Sequence, residues 1–301
     1  METTRIGTTD LLSTRLGYGC MRIAGTWNPA EITPERREHA HRCLIAAYEA
    51  GYTLFDHADI YCRGACESLH GEVLKQIPSM RDEIIIATKG GIRFAEDPAG
   101  TVGRYDFSYK HLVEACEGSL KRLGIETIDI YQLHRPDVLM HPEEVCRAFT
   151  ELQKAGKVRY FGVSNFFPWQ VSVLQKALPM KLVVNQIEVS LVKREPFFDG
   201  TLDQCMQEGL TPLSWSPIAP VKDSEAWPRL QPLFQNFTED LRVDWSWIAL
   251  AWLLRHPSGI VPIVGSANPE RIRNLTSVTD FTMNRETWYE FLTAAQGHRM
   301  A

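Results

Sequence analysis

The apolar residues of this 301-residue chain follow two alternating patterns. Short, mainly apolar runs are separated by longer stretches in which apolar positions recur every three or four residues. These patterns are typical of buried strands and of amphipathic helices. The predicted strands cover residues 14–19, 53–57, 83–89, 127–134, 158–163, 182–187, 210–215 and 260–264. The predicted helices cover residues 35–50, 66–77, 109–123, 142–155, 167–177, 200–208, 242–255 and 268–275.

Eight strand–helix alternations without a long linker predict one α/β domain, a (β/α)8 TIM barrel that spans residues 1–301. Two elements are added to the repeat: a short N-terminal hairpin that turns at Thr9 and Asp10, and a C-terminal extra helix over about 285–296. Boundary residues support this pattern, since Asn268 directly before a proline is typical of the start of a helix.

A doubly wound dinucleotide-binding fold is the main alternative. It needs the pattern G-x-G-x-x-G between its first strand and first helix. Gly17 and Gly19 supply two of these glycines, but Arg22 stands in the third position. The sequence therefore favours the barrel.

Three connections are longer than usual. Because each follows a predicted strand, each is expected on the face where barrel enzymes build their active sites. They cover about 20–34, 90–108 and 216–241.

Composition and charge narrow the function. Hydrophobic residues make up 44% and charged residues 23% of the chain, which is ordinary for a soluble globular protein. The net charge of −5 provides no basic surface for a nucleic acid. Seven scattered cysteines favour reduced thiols over a disulfide framework. No stretch resembles a signal peptide or a membrane span, so we expect a cytoplasmic protein with no membrane contact and no obligate protein partner.

Four polar residues lie at or just beyond the ends of three successive predicted strands. Asp56 ends the second strand, and Tyr61 follows five residues later in the loop. Lys89 ends the third strand and His134 ends the fourth. A charged residue after an apolar strand has no simple packing role at the top of a barrel. These four are therefore the candidate catalytic residues.

This set suits the reduction of a carbonyl group by hydride, which needs an acid to protonate the developing alkoxide. A free phenol has a pKa of about 10 and is a weak donor. We expect the ammonium group of Lys89 to stabilise the phenolate and to lower the pKa of Tyr61. Asp56 would hold Lys89 in place and charged, and His134 would orient or polarise the substrate oxygen.

Four further residues are potential zinc ligands, and two of them lie four residues apart on a predicted helix. Their spacing fits no common zinc motif. His57, the strand residue next to Asp56, should also point to the face opposite that of Asp56. No metal site is therefore predicted, and Cys62 is a candidate oxidisable thiol. The four residues are His57, Cys62, Cys66 and His70.

The segments around these residues resemble the aldo-keto reductase superfamily, whose tetrad is Asp, Tyr, Lys and His in this order. The similarity covers nearly the whole chain. Residues 156–165 resemble the family's fifth-strand signature, and Val184-Asn185-Gln186 resembles its sixth. Bacterial members with Phe-Asp-His-Ala-Asp-Ile-Tyr and Leu-His-Arg-Pro-Asp segments are especially similar. The resemblance implies an NADP(H)-dependent oxidoreductase that reduces aldehydes or ketones to alcohols by direct hydride transfer, with Tyr61 as general acid/base.

The resemblance also implies where the nicotinamide end of the cofactor binds. Ser164, Asn165 and Gln186 would hydrogen-bond the carboxamide. Trp215 would stack on the ring, where many relatives have tyrosine. The residues implied at the pyrophosphate and beside the first strand are Gly19, Cys20, Ser216 and Ile218.

The same comparison implies a phosphate site at the start of the last barrel helix, formed by free N–H groups with Gly265 and Ser266. Arg271 would pair with the 2′-phosphate, which favours NADPH over NADH. Asn274 completes the implied site. The sequence departs from many NADP-binding relatives, which have lysine in place of Gly265, a Glu-Asn pair beginning at position 274, and glycine in place of Cys62.

Aromatic loop residues are the candidate substrate pocket and favour an apolar or aromatic carbonyl substrate. Two other functions stay open. Potassium-channel β subunits share the fold, so an NADP(H)-binding redox sensor with little turnover is an alternative. A Schiff-base lyase would need Lys89 to have a depressed pKa, which Asp56 opposes. The pocket residues are Trp27, Phe94, Trp169 and Trp227.

Overall fold

The centre of the molecule is a closed barrel of eight parallel strands. The structure is a computed structural model that describes residues 1–218 and 221–299. Each strand pairs with the next along the chain, and the last pairs with the first, which confirms the predicted (β/α)8 barrel. The strands are β1 (Gly17–Gly19), β2 (Leu54–Asp56), β3 (Ile85–Gly90), β4 (Ile128–Leu133), β5 (Val158–Ser164), β6 (Leu182–Glu188), β7 (Thr211–Trp215) and β8 (Val261–Val264).

Helices follow the strands and surround the barrel. Most of them lie where the apolar periodicity predicts them. They are α1 (Pro34–Glu49), α2 (Ala65–Gln76), α3 (Tyr109–Leu123), α4 (Pro142–Lys154), α5 (Pro168–Ala177), α6 (Thr201–Glu208), α7 (Trp227–Leu241), α8 (Trp245–Leu254), α9 (Pro269–Asn274) and α10 (Arg285–Gln296).

Helix α7 is the main difference from the predicted elements. It falls in the connection predicted over 216–241, of which residues 219 and 220 lie outside the described residues. Pro232 inside the helix argues for a break at the sequence level. The helix forms nevertheless, because Leu230 and Phe234, one turn apart, are both buried. Packing against the rest of the protein therefore outweighs the local signal.

The N-terminal hairpin closes one end of the barrel. Residues Thr3–Arg5 pair antiparallel with Leu12–Thr14, which confirms the predicted N-terminal hairpin. Ile6 and Leu11, in the turn region, are buried against the apolar side chains inside the barrel. The open end is therefore the one formed by the carboxyl ends of the strands.

The long connections lie at this open end. The connection 20–34 contains two short 3-10 turns. The connection 90–108 contains a small antiparallel pair between Ile92–Arg93 and Arg104–Tyr105. In the described residues, none of the helices has the length and apolar character that crossing a bilayer requires.

Candidate active site

The four candidate catalytic residues come together at the open end of the barrel. The Lys89 Nζ atom lies 2.8 Å from the Asp56 Oδ2 atom and 3.2 Å from the Tyr61 hydroxyl oxygen. The ring of His134 meets the ring of Tyr61 edge-on, with centroids 5.9 Å apart. The sequence prediction that these residues share a site agrees with this geometry.

Backbone contacts set the positions of these side chains. Lys89 is fully buried, and its third hydrogen bond goes to the carbonyl oxygen of His57 at 2.7 Å. The backbone N–H of His134 donates to the carbonyl oxygen of Gly90 at 3.0 Å. Tyr61 lies on a short turn whose next residue, Cys62, has a φ of 46°. This left-handed conformation is one that glycine adopts without steric cost, so Cys62 is strained at this position.

Burial and charge act in opposite directions on the tetrad. Burial lowers the pKa of Lys89, but the charge of Asp56, the nearby Tyr61 and the hydrogen bonds to both raise it above its ordinary value. Burial raises the pKa of Tyr61 by more than Lys89 lowers it. The expectation that Lys89 brings the pKa of Tyr61 below its ordinary value is therefore wrong for this structure. Burial holds the pKa of His134 well below its ordinary value, so the imidazole is neutral at pH 7.

The residues implied for the carboxamide form a hydrogen-bonded chain that reaches the tetrad. Gln186 Nε2 donates to Asp56 Oδ1 at 2.9 Å, and the Ser164 hydroxyl donates to the carbonyl oxygen of Gln186 at 3.0 Å. Asn165 Nδ2 donates to the Ser164 Oγ atom at 2.8 Å. The indole N–H of Trp215 donates to Asn165 Oδ1 at 2.8 Å. These hydrogen bonds therefore join Trp215 to the Asp56 carboxylate.

This group has the donors and acceptors that a carboxamide requires. It offers amide and hydroxyl groups beside one aromatic ring. The backbone is strained at Asn165 in this group, with a φ of 63°, and at Ser216, the residue after Trp215, with a φ of 49°. Strained conformations of this kind persist where the surrounding structure holds them and cluster at ligand sites. The residues present therefore fit a nicotinamide group.

Comparison with known proteins places the chain in a family. The model of the Aldo/keto reductase family matches residues 15–293. The chain belongs to this family. It is accordingly an oxidoreductase, and the resemblance seen around its strand ends is confirmed.

The aldo/keto reductase is similar to proteins of known name over almost its whole length. It is 38% identical over 304 residues to a 6-dehydroglucose reductase of Agrobacterium fabrum, with 99% of each chain covered. It is also 38% identical over 306 residues to a 6-dehydroglucose reductase of Novosphingobium aromaticivorans, with 95% of this chain and 96% of the other covered. A solved thermostable aldo-keto reductase in complex with the inhibitor epalrestat has a TM-score of 0.85 and 26% identity, covering 98% of this chain and 100% of that one.

The implied phosphate site of this aldo/keto reductase lies at the start of α9. Asn268 is the N-cap, and its Oδ1 atom accepts from the N–H groups of Glu270 and Arg271 at 2.9 and 3.2 Å. The expectation of free N–H groups is therefore wrong for these two. Arg271 itself is exposed, and in residues 1–218 and 221–299 its guanidinium makes no hydrogen bond or ion pair. Of the other residues implied at this site, Gly265 and Asn274 are exposed and Ser266 is half-buried.

The other implied cofactor residues line β1 and β7. Gly19 ends β1, and a Cβ atom there would lie 2.9 Å from Ile263, so the position has no room for a side chain on that side. The Cys20 thiol is fully buried, which leaves its backbone as the group available to a cofactor. Ser216 and Ile218 follow β7 and are half-buried.

The predicted substrate-pocket residues do not form one apolar wall. Trp27 is 60% exposed, and Trp169, 61% exposed, stacks on Phe167 with centroids 4.8 Å apart. The guanidinium of Arg63 covers the ring of Phe94 at 4.4 Å. The remaining residue, Trp227, was predicted in a loop.

That loop assignment is wrong for Trp227. It is the first residue of α7, and its ring stacks on Phe234 at 5.8 Å and meets Trp245 edge-on at 6.1 Å. This aromatic cluster packs helix against helix. Trp227 therefore has a structural role at the base of the connection.

The four potential zinc ligands do not come together: His57 and His70 are in contact, and Cys62 and Cys66 lie outside their cluster. The Nε2 atom of His57 lies 2.8 Å from the Nδ1 atom of His70, and Cys20 rather than Cys62 or Cys66 completes the buried cluster. Two nitrogens on one tetrahedral zinc ion would be about 3.4 Å apart. The shorter distance is that of a hydrogen bond between neutral imidazoles, since burial lowers the pKa of both rings. Burial also raises the pKa of the Cys62 thiol, so its predicted reactivity is not supported.

Two charged residues at the barrel mouth were missed by the sequence analysis. Arg135 directly follows His134, and Glu188 ends β6. Both carry the signal that identified the tetrad, a charged side chain at the end of a barrel strand. The signal was not applied beyond the four residues of the tetrad.

Proposed function

We propose that this aldo/keto reductase reduces aldehyde or ketone carbonyls to alcohols with NADPH, and that Tyr61 is the general acid. The observation that supports this most strongly is the position of Lys89 Nζ, within hydrogen-bond distance of both the Tyr61 hydroxyl and the Asp56 carboxylate. A buried ammonium held between a phenol and a carboxylate stabilises the phenolate that proton donation leaves behind.

Each of the four side chains of the tetrad has its own role in the proposed reaction. Tyr61 is protonated at neutral pH, since a phenol has a pKa of about 10 and burial raises that of Tyr61 further. It donates its proton to the oxygen of the developing alkoxide. Lys89 then stabilises the phenolate, while Asp56 keeps the ammonium in place. The neutral imidazole of His134, beside the Tyr61 ring, orients the substrate oxygen by donating a hydrogen bond. NADPH, when bound, supplies the hydride.

The cofactor site follows the positions described above. Ser164, Asn165 and Gln186 hold the carboxamide and Trp215 stacks on the ring. Arg271 provides the positive charge for the 2′-phosphate, which is the reason for proposing NADPH rather than NADH. The backbone and small side chains that complete the proposed cofactor site belong to Gly19, Cys20, Ser216, Ile218, Gly265, Ser266 and Asn274.

Replacement of the proposed acid tests the catalytic role. We expect Tyr61→Phe to lower turnover about 10²- to 10⁴-fold, the contribution usual for general acid catalysis. NADPH affinity should stay nearly unchanged, because the hydroxyl acts on the substrate. Steady-state kinetics with a panel of aldehydes and fluorescence titration with NADPH measure the two quantities. Tyr289→Phe, on the exposed face of α10, is the matched control. Turnover of the Tyr61 variant close to that of the wild type would remove Tyr61 from this role.

The 2′-phosphate assignment has its own test. We expect Arg271→Ala to weaken NADPH binding about 10-fold or more and NADH binding about 2-fold or less, since only NADPH carries the 2′-phosphate. Arg273→Ala is the control, because Arg273 lies on the same helix but pairs with Glu49 at 3.4 Å. Isothermal titration calorimetry with NADPH and with NADH measures the two affinities in each variant. Equal losses for both cofactors would place the 2′-phosphate elsewhere.

The proposal also covers the substrate class and the cellular location of the reaction. The identity with two 6-dehydroglucose reductases makes an aldehyde derived from a sugar a candidate substrate. We further propose a cytoplasmic enzyme whose partner is the small carbonyl substrate. The regulatory alternative is not favoured, because the tetrad is complete and its members are in hydrogen-bond contact.

A further inference from the structure

Arg135 is a cation at the barrel mouth that the proposed reaction does not use. It directly follows His134, and its guanidinium carbon lies 5.2 Å from the centroid of the Trp215 ring. That distance is typical of a cation–π contact. In the described ranges 1–218 and 221–299, the Arg135 guanidinium makes no hydrogen bond or ion pair. Its fork of N–H donors is therefore available to a ligand.

Glu188 lies at the same end of the barrel. Successive strand residues alternate between faces, so Glu188 shares the inner face of β6 with Gln186 and Val184. Gln186 donates to Asp56 inside the barrel, and Val184 packs among the inner side chains. Glu188 also stands opposite Trp215 in the register of β6 and β7. The carboxylate therefore points into the mouth beside the ring on which Arg135 lies.

The two charged residues both lie beside Trp215, and they are not paired with each other. Burial raises the pKa of Glu188, while the positive charges of Lys193 and Arg135 lower it. No ion pair within 4.0 Å joins Arg135 and Glu188 in the part of the chain that the structure describes. A hydroxyl group both donates and accepts a hydrogen bond. It can therefore bridge a guanidinium and a carboxylate that are too far apart to contact each other directly.

This combination distinguishes among substrate classes. An anionic substrate would gain from Arg135 but would be repelled by Glu188. An apolar substrate would cover these two half-buried charged groups without offering either of them a hydrogen-bond partner. A neutral substrate rich in hydroxyl groups satisfies both.

We propose that Arg135 and Glu188 recognise substrate hydroxyl groups, so that the enzyme prefers small polyhydroxylated aldehydes to apolar or aromatic carbonyl compounds. This inference rests on the proposed carbonyl reductase function. It replaces the apolar or aromatic substrate that the loop residues suggested, because those residues do not assemble into an apolar wall.

A pair of aldehydes of equal length tests the proposal. D-glyceraldehyde and propanal both have three carbons, and they differ by two hydroxyl groups. With saturating NADPH, we expect wild-type kcat/KM to be higher for D-glyceraldehyde. Arg135→Met keeps the unbranched stem beside Trp215 and removes the donors. We expect this variant to reduce the ratio of the two kcat/KM values about 10- to 100-fold, the range typical of one hydrogen bond to a charged group.

Two further variants sharpen the result. Glu188→Gln removes the charge at nearly constant volume and should lower the same ratio about 3- to 10-fold, since a neutral acceptor bonds a hydroxyl more weakly. Arg285→Met is the matched control, because Arg285 also lies over an aromatic ring, that of Tyr289 at 5.4 Å, but on α10. Its ratio should equal that of the wild type.

The outcomes separate this inference from the proposed function. An equal loss with both aldehydes, or a large loss of NADPH affinity, would assign Arg135 to the tetrad or the cofactor and overturn the inference. An unchanged ratio would overturn it as well. If the wild type reduces no aldehyde, the proposed function fails, and saturation-transfer NMR with glycerol and 1-propanol then decides. Glycerol binding that Arg135→Met abolishes supports hydroxyl recognition, and glycerol binding that the variant retains overturns it.

Discussion

Lys89 shows how a single residue organises the site. Its ammonium group is fully buried and donates to three oxygens, those of Asp56, Tyr61 and the His57 carbonyl. An ammonium has three N–H donors, so each one is satisfied. The strand-end positions of these residues were predictable from sequence. The raised pKa of Tyr61 was not, because burial depends on side chains from other strands and loops.

The raised pKa of Tyr61 leads to a prediction about pH. In the proposed reaction the protonated phenol of Tyr61 is the active form, and its pKa lies above the ordinary value. Activity should therefore persist as pH rises through neutrality and should fall only as pH passes the raised pKa. We expect kcat/KM for aldehyde reduction to stay constant within about 2-fold from pH 7 to about pH 10. A stopped-flow pH profile with saturating NADPH measures this. A decline that begins near pH 8 both in the wild type and in Asp59→Asn, which removes a buried carboxyl group whose pKa is about 8, would show that the acid has a lowered pKa.

At the scale of elements, β2 and α2 are joined by the hydrogen bond between His57 and His70. The bond fixes the residue whose carbonyl oxygen holds Lys89. The sequence placed both histidines among potential zinc ligands, since residue type and spacing do not distinguish an imidazole pair from a ligand set. Similarly, α7 was missed because its burial comes from partners distant in sequence, such as Trp245 and Phe291.

This histidine pair predicts how stability depends on pH. Burial lowers the pKa of His70 to about 3 and holds that of His57 well below its ordinary value. The unfolded chain therefore binds protons that the folded protein does not, and the free energy of unfolding falls as pH drops below about 6.5. Each imidazole contributes up to about 1.4 kcal/mol per pH unit.

A substitution isolates this contribution. His70→Phe removes one titrating ring, so the free energy of unfolding should fall less steeply between pH 6.5 and pH 5, even though the variant is less stable at pH 7. Urea unfolding at several pH values measures both. Asp59, with a pKa raised by burial to about 8, acts in the opposite direction in both proteins and cancels in the comparison. Identical slopes would mean that the pair is not buried as a neutral unit.

At the scale of the whole molecule, the barrel keeps the apolar residues that close one end apart from the candidate catalytic residues at the other end. The N-terminal hairpin closes one end with Ile6 and Leu11, and the tetrad lies at the other. This division is usual for the fold, whose active sites lie at the carboxyl ends of the strands. The interpretation of residues 1–301 as one domain stays a prediction. The closed barrel of eight strands places the hairpin and the tetrad at opposite ends.

A change at the closed end should affect stability alone. Ile6 is fully buried, and Ile6→Ala should lower the free energy of unfolding by about 2–4 kcal/mol through lost burial and the cavity left behind. The kcat/KM of the folded enzyme should change less than about 2-fold, because the tetrad is at the opposite end. Leu12→Ala, at a side chain that is 58% exposed, is the control and should cost less than about 0.5 kcal/mol. A loss of activity that parallels the loss of stability in Ile6→Ala would contradict the separation.

The sequence by itself determined the eight strands, most of the helices and the barrel that they form, and it predicted the four residues of the tetrad. These follow from hydrophobic periodicity and from which residue ends each strand, and both are local properties of the chain. Only the tertiary structure decided the pKa of Tyr61, the hydrogen-bonded chain from Trp215 to Asp56, the use of the α9 amides by Asn268 and the positions of Arg135 and Glu188. Most of these depend on burial and on contacts between residues far apart in sequence, where the energy of a charge or a polar group is set by its surroundings.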